Sequence, residues 1–450
     1  MDIMLILQIV VLFGGIYLGV KLGGMGVGYA GGLGVIILTT VLGMSTDISK
    51  HIPWDVILII ASVISAITAM QVAGGLDYLV QIAEKILRKN PKQINYLAPV
   101  VTYLLTILAG TGHTAFSMIP VIVEVAKGQN IKPSAPLVLS VVSSQVAITA
   151  SPVSAAFVAM TGIVEPLGVN YPMLLLICIT TTFFGMLITA FIVNKFYNLD
   201  LSSDPIYQER LAKGAVAQIQ GYQERELLPY AKRSVVIFAI GVFFVVLYAL
   251  AISKNIAWIK TVTLPRDGAI CSFMLTIGAA IVMFCKVDTS KLLSTSTFKS
   301  GMSACICVLG IAWLGNIFVQ GHIGAIKDVA SQVVSAYPWS LAVALYFVSC
   351  LLYSQAATTK VMMPAVAIAL GMTGPENSQQ VWIMVASFAA ASGLFILPTY
   401  PTTLGAIAMD DTGTTRVGKF VFNHSFLIPG TIMVAVSVGL GFIIAPALIG

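Results

Sequence analysis

Long apolar stretches separated by short polar segments run along the whole chain. Ten of them are long enough, at 17 or more residues, to cross a hydrocarbon layer of about 30 Å as a helix. They lie at residues 3–20, 25–43, 54–72, 135–162, 171–194, 233–252, 268–285, 301–319, 380–408 and 426–447. This pattern predicts an all-α polytopic membrane protein.

Two further regions, 95–126 and 339–370, are hydrophobic but interrupted by small polar residues. The arms on either side of the interruption contain 16 and 13 residues in the first region and 16 and 12 in the second. As helices these arms would extend only about 18 to 24 Å. Such lengths are typical of hairpins that enter the membrane and return on the same side, so we predict two re-entrant hairpins.

Composition narrows the class of protein. Hydrophobic residues make up 58% of the chain and charged residues 9%, with a mean hydropathy of +0.95, which excludes a soluble domain. Residues 1–20 lack a basic leading region and an A-x-A site, so we expect a retained first span. The six cysteines lie in or beside apolar segments and are expected to pack as free thiols.

The distribution of lysine and arginine predicts which loops face the cytoplasm. With the amino terminus outside, 18 of these residues lie on one face of the predicted layout and 5 on the other, and Lys360 belongs to neither. The positive-inside rule then puts both termini in the periplasm and the polar linker 195–231 in the cytoplasm.

The two halves of the chain contain the same elements in the same order. Aligning Pro120 with Pro364 matches the two hairpins at an offset of 244 residues, and aligning Pro152 with Pro398 matches two spans at 246. Each half has five crossings, an odd number, so the second copy is inverted. Secondary transporters often have this plan, with a binding site near the midplane. The predicted units are the first repeat 1–194, the linker 195–231 and the second repeat 232–450.

Four clusters of small polar residues and prolines lie at membrane depth. Two are at the hairpin tips, "GTGHT" (110–114) and "SQAATTK" (354–360), and two are inside spans, "TASPVS" (149–154) and "LPTYPTT" (397–403). Proline removes a backbone donor, so the two span clusters should unwind their helices. Each tip would present helix amino-terminal N–H groups and hydroxyls, which favour anions. Two such tips suit a ligand with an anionic group at each end.

Lys360 lies in a stretch that otherwise has the composition of membrane interior. A lysine at the bilayer centre costs roughly 3 kcal/mol even on the most lenient scale, so we expect a functional role. We place it in the first turn of the second hairpin arm, where a bound anion would offset the lysine charge and the helix dipole. The alternatives are snorkelling to the interface or bonding to a carbonyl. Equally, the Ser and Thr hydroxyls could bond to helix carbonyls, and His113 could be a packed residue.

The acidic residues argue against carboxylate chemistry within the membrane. All 18 lie in loops, the linker, hairpin bases or span ends, and Glu84, Glu124, Asp410 and Asp411 are expected to be solvated or capping residues. A carboxylate proton relay is therefore disfavoured, which makes His113 the other candidate for proton coupling. The chain has no GxSxG or HExxH motif and no paired intramembrane Asp. We expect neither an enzyme active site nor a metal site, and no cofactor or nucleic-acid partner.

Several longer strings are recognisable, among them "AGTGHTAFSMIPVI", "ITASPVSAA", "STFKSGMSACICVLGIAWLG", "FILPTYPT" and "MDDTGTTRVGKFVFNHSF". They resemble the anaerobic four-carbon dicarboxylate transporter (Dcu) family of bacterial inner membranes, and closely its A-type branch. The resemblance implies the ion-transporter superfamily fold with two re-entrant hairpins. It also implies exchange or uptake of fumarate, succinate, malate and aspartate.

The resemblance also implies a set of substrate-binding residues at the tips and breaks. The chain lacks the Ser-Asn-Thr tip of sodium-coupled members, which argues against sodium coupling. Lys360 and His113 are not constant across the family, so they would tune affinity or charge balance. The candidate residues are Thr111, Gly112, His113, Thr114, Thr149, Ser151, Pro152, Ser154, Ser354, Gln355, Thr358, Thr359, Lys360, Pro398, Thr399, Tyr400 and Pro401.

The sequence thus predicts a secondary transporter of C4-dicarboxylates that works by alternating access, most simply by exchanging one dianion for another. A sodium- or proton-coupled symporter is the alternative mechanism. Family resemblance also suggests a sensor-kinase partner, and a homo-oligomer is compatible with the sequence.

Overall fold

The computed structural model describes most of the chain. The described residues are 3–22, 25–52, 54–216, 227–252, 258–259, 261–322, 333–334, 336–352, 354–372, 374–398, 400–420 and 422–449. Within these ranges the protein is helical, and its only β-type pairings are two isolated bridges. The all-α class is therefore confirmed. Thr399, the side chain of His113 and residues 217–226 of the predicted linker lie outside the described part.

The first half of the chain contains nine α-helices of eight or more residues within the described ranges. They are Ile3–Leu22, Gly26–Ile36, Trp54–Val72, Gly75–Lys89, Ile94–Ala109, Ala115–Gly128, Ser134–Ile148, Ala155–Val164 and Tyr171–Phe196. A π-helical turn, Ile37–Val41, continues the second of these, and a 3₁₀ turn, Gly112–Thr114, joins the two arms of the first predicted hairpin.

The second half of the chain is likewise helical within the described ranges. Its helices are Ala231–Ala251, Arg266–Phe284, Ser296–Cys307, Trp313–Gly321, Ser340–Leu352, Gln355–Ala369, Val381–Ser387, Pro401–Met409 and Leu427–Ile449. A π-helical turn, Val308–Ala312, links the third and fourth helices, and the 3₁₀-helix Phe388–Phe395 extends Val381–Ser387. A short helix in the linker, Pro205–Ala212, lies between the halves.

Four of the described helical segments are individually long and apolar enough to cross a membrane: Tyr171–Phe196, Ala231–Ala251, Thr297–Phe318 and Leu427–Ile449. Shorter apolar helices of 10–17 residues account for most of the other predicted spans. The difference arises because several predicted spans are interrupted. The region 135–162, for example, contains one helix that ends at Ile148 and another that begins at Ala155.

A sharp bend follows the third long helix. The axes of Ile57–Val72 and Gly75–Lys89 differ by 74°, and Gly74 adopts a left-handed conformation at the bend. The second of these helices is amphipathic. Its Glu84 is nevertheless buried and accepts a bond from Arg88 at 2.6 Å, and Arg88 also reaches Glu124 at 2.8 Å. The expectation that Glu84 is solvated or capping is therefore wrong, because the base of the first hairpin covers it.

Helices from the two halves pack on each other reciprocally. Trp54–Val72 packs along Arg266–Phe284, and Gly26–Ile36 packs along the segment that contains Val308–Ala312. The second contact is made by backbone, because a Cβ atom at Gly31 would overlap the carbonyl group of Gly310. Such close approach is available only to glycine and is common where membrane helices associate.

The interrupted helices pack in the same reciprocal manner. Ala115–Gly128 of the first hairpin contacts Pro401–Met409, and Gln355–Ala369 of the second hairpin contacts Ala155–Val164. Each hairpin's second arm thus lies against a broken span of the other half. This crossing brings all four polar clusters to one region of the molecule.

The linker is docked against the loop that follows the last break. Asp204 begins the helix Pro205–Ala212 and lies 3.5 Å from both Lys132 and Arg416. Lys127, at the base of the first hairpin, forms a 2.8 Å ion pair with Asp411. The preceding residue, Asp410, is 1% exposed and accepts bonds from residues 412–415, so it is not solvated as expected.

Candidate functional site

The first hairpin tip is a short non-α segment held by its own backbone. The helix Ile94–Ala109 ends at Gly110, which is left-handed (φ +68°) and donates its N–H to the Thr106 carbonyl at 2.8 Å. Thr114 then bonds to the Thr106 hydroxyl at 3.0 Å and to the Thr111 carbonyl at 3.2 Å. These bonds fix the positions of Thr111 and Gly112 between the two arms.

The second tip begins a helix directly. Ser354 is extended (φ −153°, ψ 121°) and caps Gln355–Ala369, because its hydroxyl accepts the Ala357 N–H at 3.1 Å. Thr358 and Thr359 donate to the carbonyls of Ser354 and Gln355 at 2.8 and 2.7 Å. The hydroxyls of these two threonines are thus engaged within their own helix.

Lys360 is the sixth residue of that helix, so it lies in the second turn. The expectation that it occupies the first turn is wrong, because the cap falls at Ser354. Its side chain is partly exposed and does not line the cavity described below. The interaction with the helix dipole is correspondingly weaker than a first-turn position would give, since that effect falls off within the first turn.

The first broken span is closed by its own polar residues. Thr149 donates to the Val146 carbonyl at 2.8 Å, and Ser154 donates to the Ile148 carbonyl at 2.6 Å while capping Ala155–Val164. Ser151 donates to the Ile107 carbonyl at 2.7 Å, which joins the break to the first hairpin. Pro152 is buried among them.

The second broken span is interrupted over a longer stretch. Ser392 and Gly393 have non-helical backbone angles, and the next α-helix begins only at Pro401. Ser349 of the second hairpin accepts the Gly393 N–H at 2.9 Å, which again joins a break to a hairpin. Pro398 and Tyr400 are buried at this break.

Two residues outside the predicted set connect these elements: Gln145, and Thr402 of the 397–403 cluster. The amide Nε2 of Gln355 donates to the Gln145 carbonyl at 3.1 Å, and Gln145 Nε2 lies 3.4 Å from the Thr402 hydroxyl. The three side chains are 4%, 0% and 0% exposed, respectively. They join the second tip to both breaks. In the sequence, the signal for Gln145 was a glutamine within an apolar span, four residues before Thr149.

The tips and breaks surround a cavity of about 810 Å³. Six of the predicted residues line it, while Thr149, Ser151, Ser154, Thr358 and Thr359 are buried behind this surface and bond to backbone. Thr114, Pro152, Lys360 and Pro398 are also absent from the lining. The six lining residues are Thr111, Gly112, Ser354, Gln355, Tyr400 and Pro401.

Comparison with known proteins identifies the family. The family model for the anaerobic C4-dicarboxylate membrane transporter matches residues 4–449. The chain belongs to this family. It is 60% identical over 439 residues to the C4-dicarboxylate transporter DcuA of Helicobacter pylori (98% of each chain) and 59% identical over 446 residues to DcuA of Wolinella succinogenes (99% of this chain, 100% of the relative). The resemblance to the A-type branch is therefore confirmed, and this family member is a membrane transporter and not an enzyme.

A solved transporter structure has a similar fold. The Alcanivorax borkumensis YdaH transporter superposes with a TM-score of 0.53, covering 91% of this chain and 88% of its own, at 14% sequence identity. This likeness concerns the fold alone. The all-α fold of this chain is therefore similar to the fold of a solved transporter.

Two further helices contribute to the lining of the cavity. Trp54–Val72 contributes Ile60 and Ile64, and Ser296–Cys307 contributes Lys299 and Ser303. Among the lining residues that the structure describes, Lys299 is the one charged side chain, and none is a carboxylate. A cavity of this volume with a few convergent polar groups is typical of small-molecule sites. In this family member its electrostatic character favours an anion.

The described residues contain no group of three His, Cys, Asp or Glu side chains placed to hold a metal ion. The six cysteines all lie within the described residues and form no disulfide there. The donors available to a ligand in the cavity are amide, hydroxyl and ammonium groups.

Proposed function

We propose that this protein exchanges one C4-dicarboxylate for another across the bacterial inner membrane by alternating access. The substrates would be fumarate, succinate, malate and aspartate. The observation that carries the proposal is the shared cavity, because residues from both hairpin tips and from the second break line it. Exchange of two dianions, such as fumarate and succinate, moves no net charge, so it needs no coupling ion.

In this proposal each carboxylate of the substrate binds near one tip. Thr111 and Gly112 precede the helix Ala115–Gly128, and Ser354 caps Gln355–Ala369. Helix amino termini have N–H groups without intrahelical partners and a dipole that favours anions. The Gln355 side chain adds an amide donor, and Lys360 adds longer-range attraction from the second turn. A diacid would thus interact with a tip from each half of the chain.

We further propose that the two halves, 1–194 and 232–450, form an inverted repeat joined by a cytoplasmic linker, with both termini in the periplasm. The support comes from the reciprocal packing described above and from the 18 to 5 distribution of basic residues. Alternating access would then open the cavity to one side of the membrane at a time.

Proteoliposomes loaded with succinate provide the test. Uptake of radiolabelled fumarate should rise at least several-fold over that in empty liposomes, without any ion gradient. Absence of stimulation by internal succinate would reject exchange. Uptake into empty liposomes that requires an imposed sodium or proton gradient would instead identify the symport alternative.

A further inference from the structure

We propose that Lys299 is the charge-selecting residue at the mouth of the cavity, attracting a dicarboxylate dianion in preference to a monoanion of the same size. The inference rests on the proposed dicarboxylate transport and adds a residue that the sequence analysis did not place in the binding site. In the sequence, Lys299 lies in one of the strings that resemble the family and contributes to the count of basic residues on one face.

The position of Lys299 on its helix supports this role. Lys299, Ser303 and Cys307 are four residues apart on Ser296–Cys307, and all three line the cavity. That spacing places them on one helix face, about 6 Å apart along the axis. Lys299 is exposed, Ser303 and Cys307 are partly exposed, and the next lining residue, Val308, is buried. The face therefore runs from the exposed Lys299 towards the interior of the molecule.

The helix that carries Lys299 is held firmly against the wall. A Cβ atom at Gly301 would overlap the side chain of Ile64, so the backbone packs closely on Trp54–Val72 at this point. Thr295 caps the helix by accepting the Phe298 N–H at 3.2 Å. Lys299 is thus attached to a helix whose backbone is held in place by packing at Gly301 and by the cap at Thr295.

The charge of Lys299 is not offset within the cavity. No Asp or Glu belongs to the described lining, and Lys299 has no ion pair among the described residues. A cleft with one sign of charge and apolar walls concentrates oppositely charged ligands near its opening. The attraction scales with ligand charge, so a dianion gains about twice as much as a monoanion. Because the ammonium is exposed, the effect falls mainly on arrival of the substrate and is screened by salt.

Initial rates of exchange in proteoliposomes test this assignment. We expect Lys299→Gln to lower kcat/KM for fumarate about tenfold at low ionic strength, with kcat little changed. The difference from wild type should shrink near 1 M salt, where the screening length is about 3 Å. Inhibition by monomethyl fumarate, which has the same carbon skeleton and a single charge, should change much less.

Two further variants separate charge from packing. Lys299→Arg retains the cation and should behave like wild type. Lys291→Gln removes an exposed lysine from the turn that precedes this helix, outside the cavity, and should also behave like wild type. Unchanged discrimination between fumarate and its monoester in Lys299→Gln would overturn the proposal, as would an equal loss in Lys299→Arg. If the protein did not exchange dicarboxylates at all, the wild-type protein would show no exchange. That outcome is therefore distinguishable from a failure of the Lys299 proposal, which concerns only the variants.

Discussion

Individual residues at the tips and breaks are held by hydrogen bonds that cross long stretches of sequence. Gln355 bonds to a residue 210 positions earlier, and Gln145 approaches one 257 positions later. These contacts place an amide donor at the cavity surface and connect it to buried polar groups. The geometry of the second tip therefore depends on both broken spans.

We predict that Gln355→Met raises KM for fumarate about tenfold or more. The substitution removes a neutral hydrogen-bond donor to a charged ligand, and such a hydrogen bond contributes roughly 1.5–3 kcal/mol. Methionine has similar length, so the helix should persist. Transport kinetics in proteoliposomes would measure the effect. Gln129→Met, at an exposed site outside the cavity, is the matched control. An unchanged KM would show that Gln355 does not contact the substrate.

Asp410 leads to a prediction about stability. Its buried carboxylate accepts from the backbone N–H groups of Thr412 and Thr415 and from the Thr414 hydroxyl, at 2.7–3.0 Å. We expect Asp410→Asn to destabilise the protein by about 2 kcal/mol, because an amide can accept at only one of its two positions. Thermal unfolding in detergent would detect the change. Glu376→Gln, which alters an exposed carboxylate in a turn, should leave the melting temperature unchanged.

The sequence predicted some of these residues and not others for a physical reason. Pro152 and Pro401 act on their own backbone, so the helix breaks near them follow from local chemistry. Gln145, Thr402 and Lys299 acquire their significance from partners or surfaces distant in the chain. No periodic pattern records such pairings, so the contacts of these three residues could be found only from the structure, although Thr402 lies in the 397–403 cluster and Lys299 in one of the strings that resemble the family.

Helices in this protein approach each other closely where the contact residues are glycines, which have no side chain. Gly26–Ile36 and the turn Val308–Ala312 meet through backbone, and this contact joins the first and second halves near the cavity wall. The glycines of this helix can be read from the sequence, but the helix on which they pack cannot. Helix interruptions also made the spans shorter than hydropathy windows suggested, because averaging over a window conceals a short break.

We predict that alanine substitutions at two neighbouring glycines of the helix Gly26–Ile36 differ in their effect on stability. A Cβ at Gly31 would overlap the backbone of Gly310, whereas a Cβ at Gly32 meets nothing within 4 Å. Gly31→Ala should therefore destabilise the protein by about 1–3 kcal/mol, the usual range for overpacking. Gly32→Ala should be neutral or slightly stabilising, since alanine favours helix. Melting temperatures of the two purified variants provide the comparison, and equal values would contradict the close contact.

At the scale of the whole molecule, ionic contacts connect segments that lie far apart in sequence. Lys127 and Asp411 join the base of the first hairpin to the loop after the second broken span, with side chains 7% and 24% exposed. The linker reaches the same loop through Arg210, which donates to the Asp411 carbonyl at 3.2 Å. Both halves of the chain and the linker thus meet at this loop.

A double-mutant cycle should reveal the energetic coupling between Lys127 and Asp411. Lys127→Met and Asp411→Asn should each destabilise the protein by about 2–3 kcal/mol, because each leaves a partly buried charge without its partner. The double variant should lose less than the sum of the two. Additive losses would show that the pair is not coupled. The exposed pair Lys213 and Glu209 is the control, for which no measurable coupling is expected.

The hydroxyl groups around the cavity have a chemical consequence for selectivity. Each hydroxyl has a single proton, and in this protein many of those protons already point at main-chain oxygens. These hydroxyls do not line the cavity and their protons are engaged, so recognition of a carboxylate falls to the groups that line the cavity, among them Ser354, Gln355 and Lys299. Replacing such a hydroxyl with a methyl group would therefore alter the shape of the helix end more than the preference for anions. The hydroxyls concerned are those of Thr149, Ser151, Ser154, Thr358, Thr359 and Thr403.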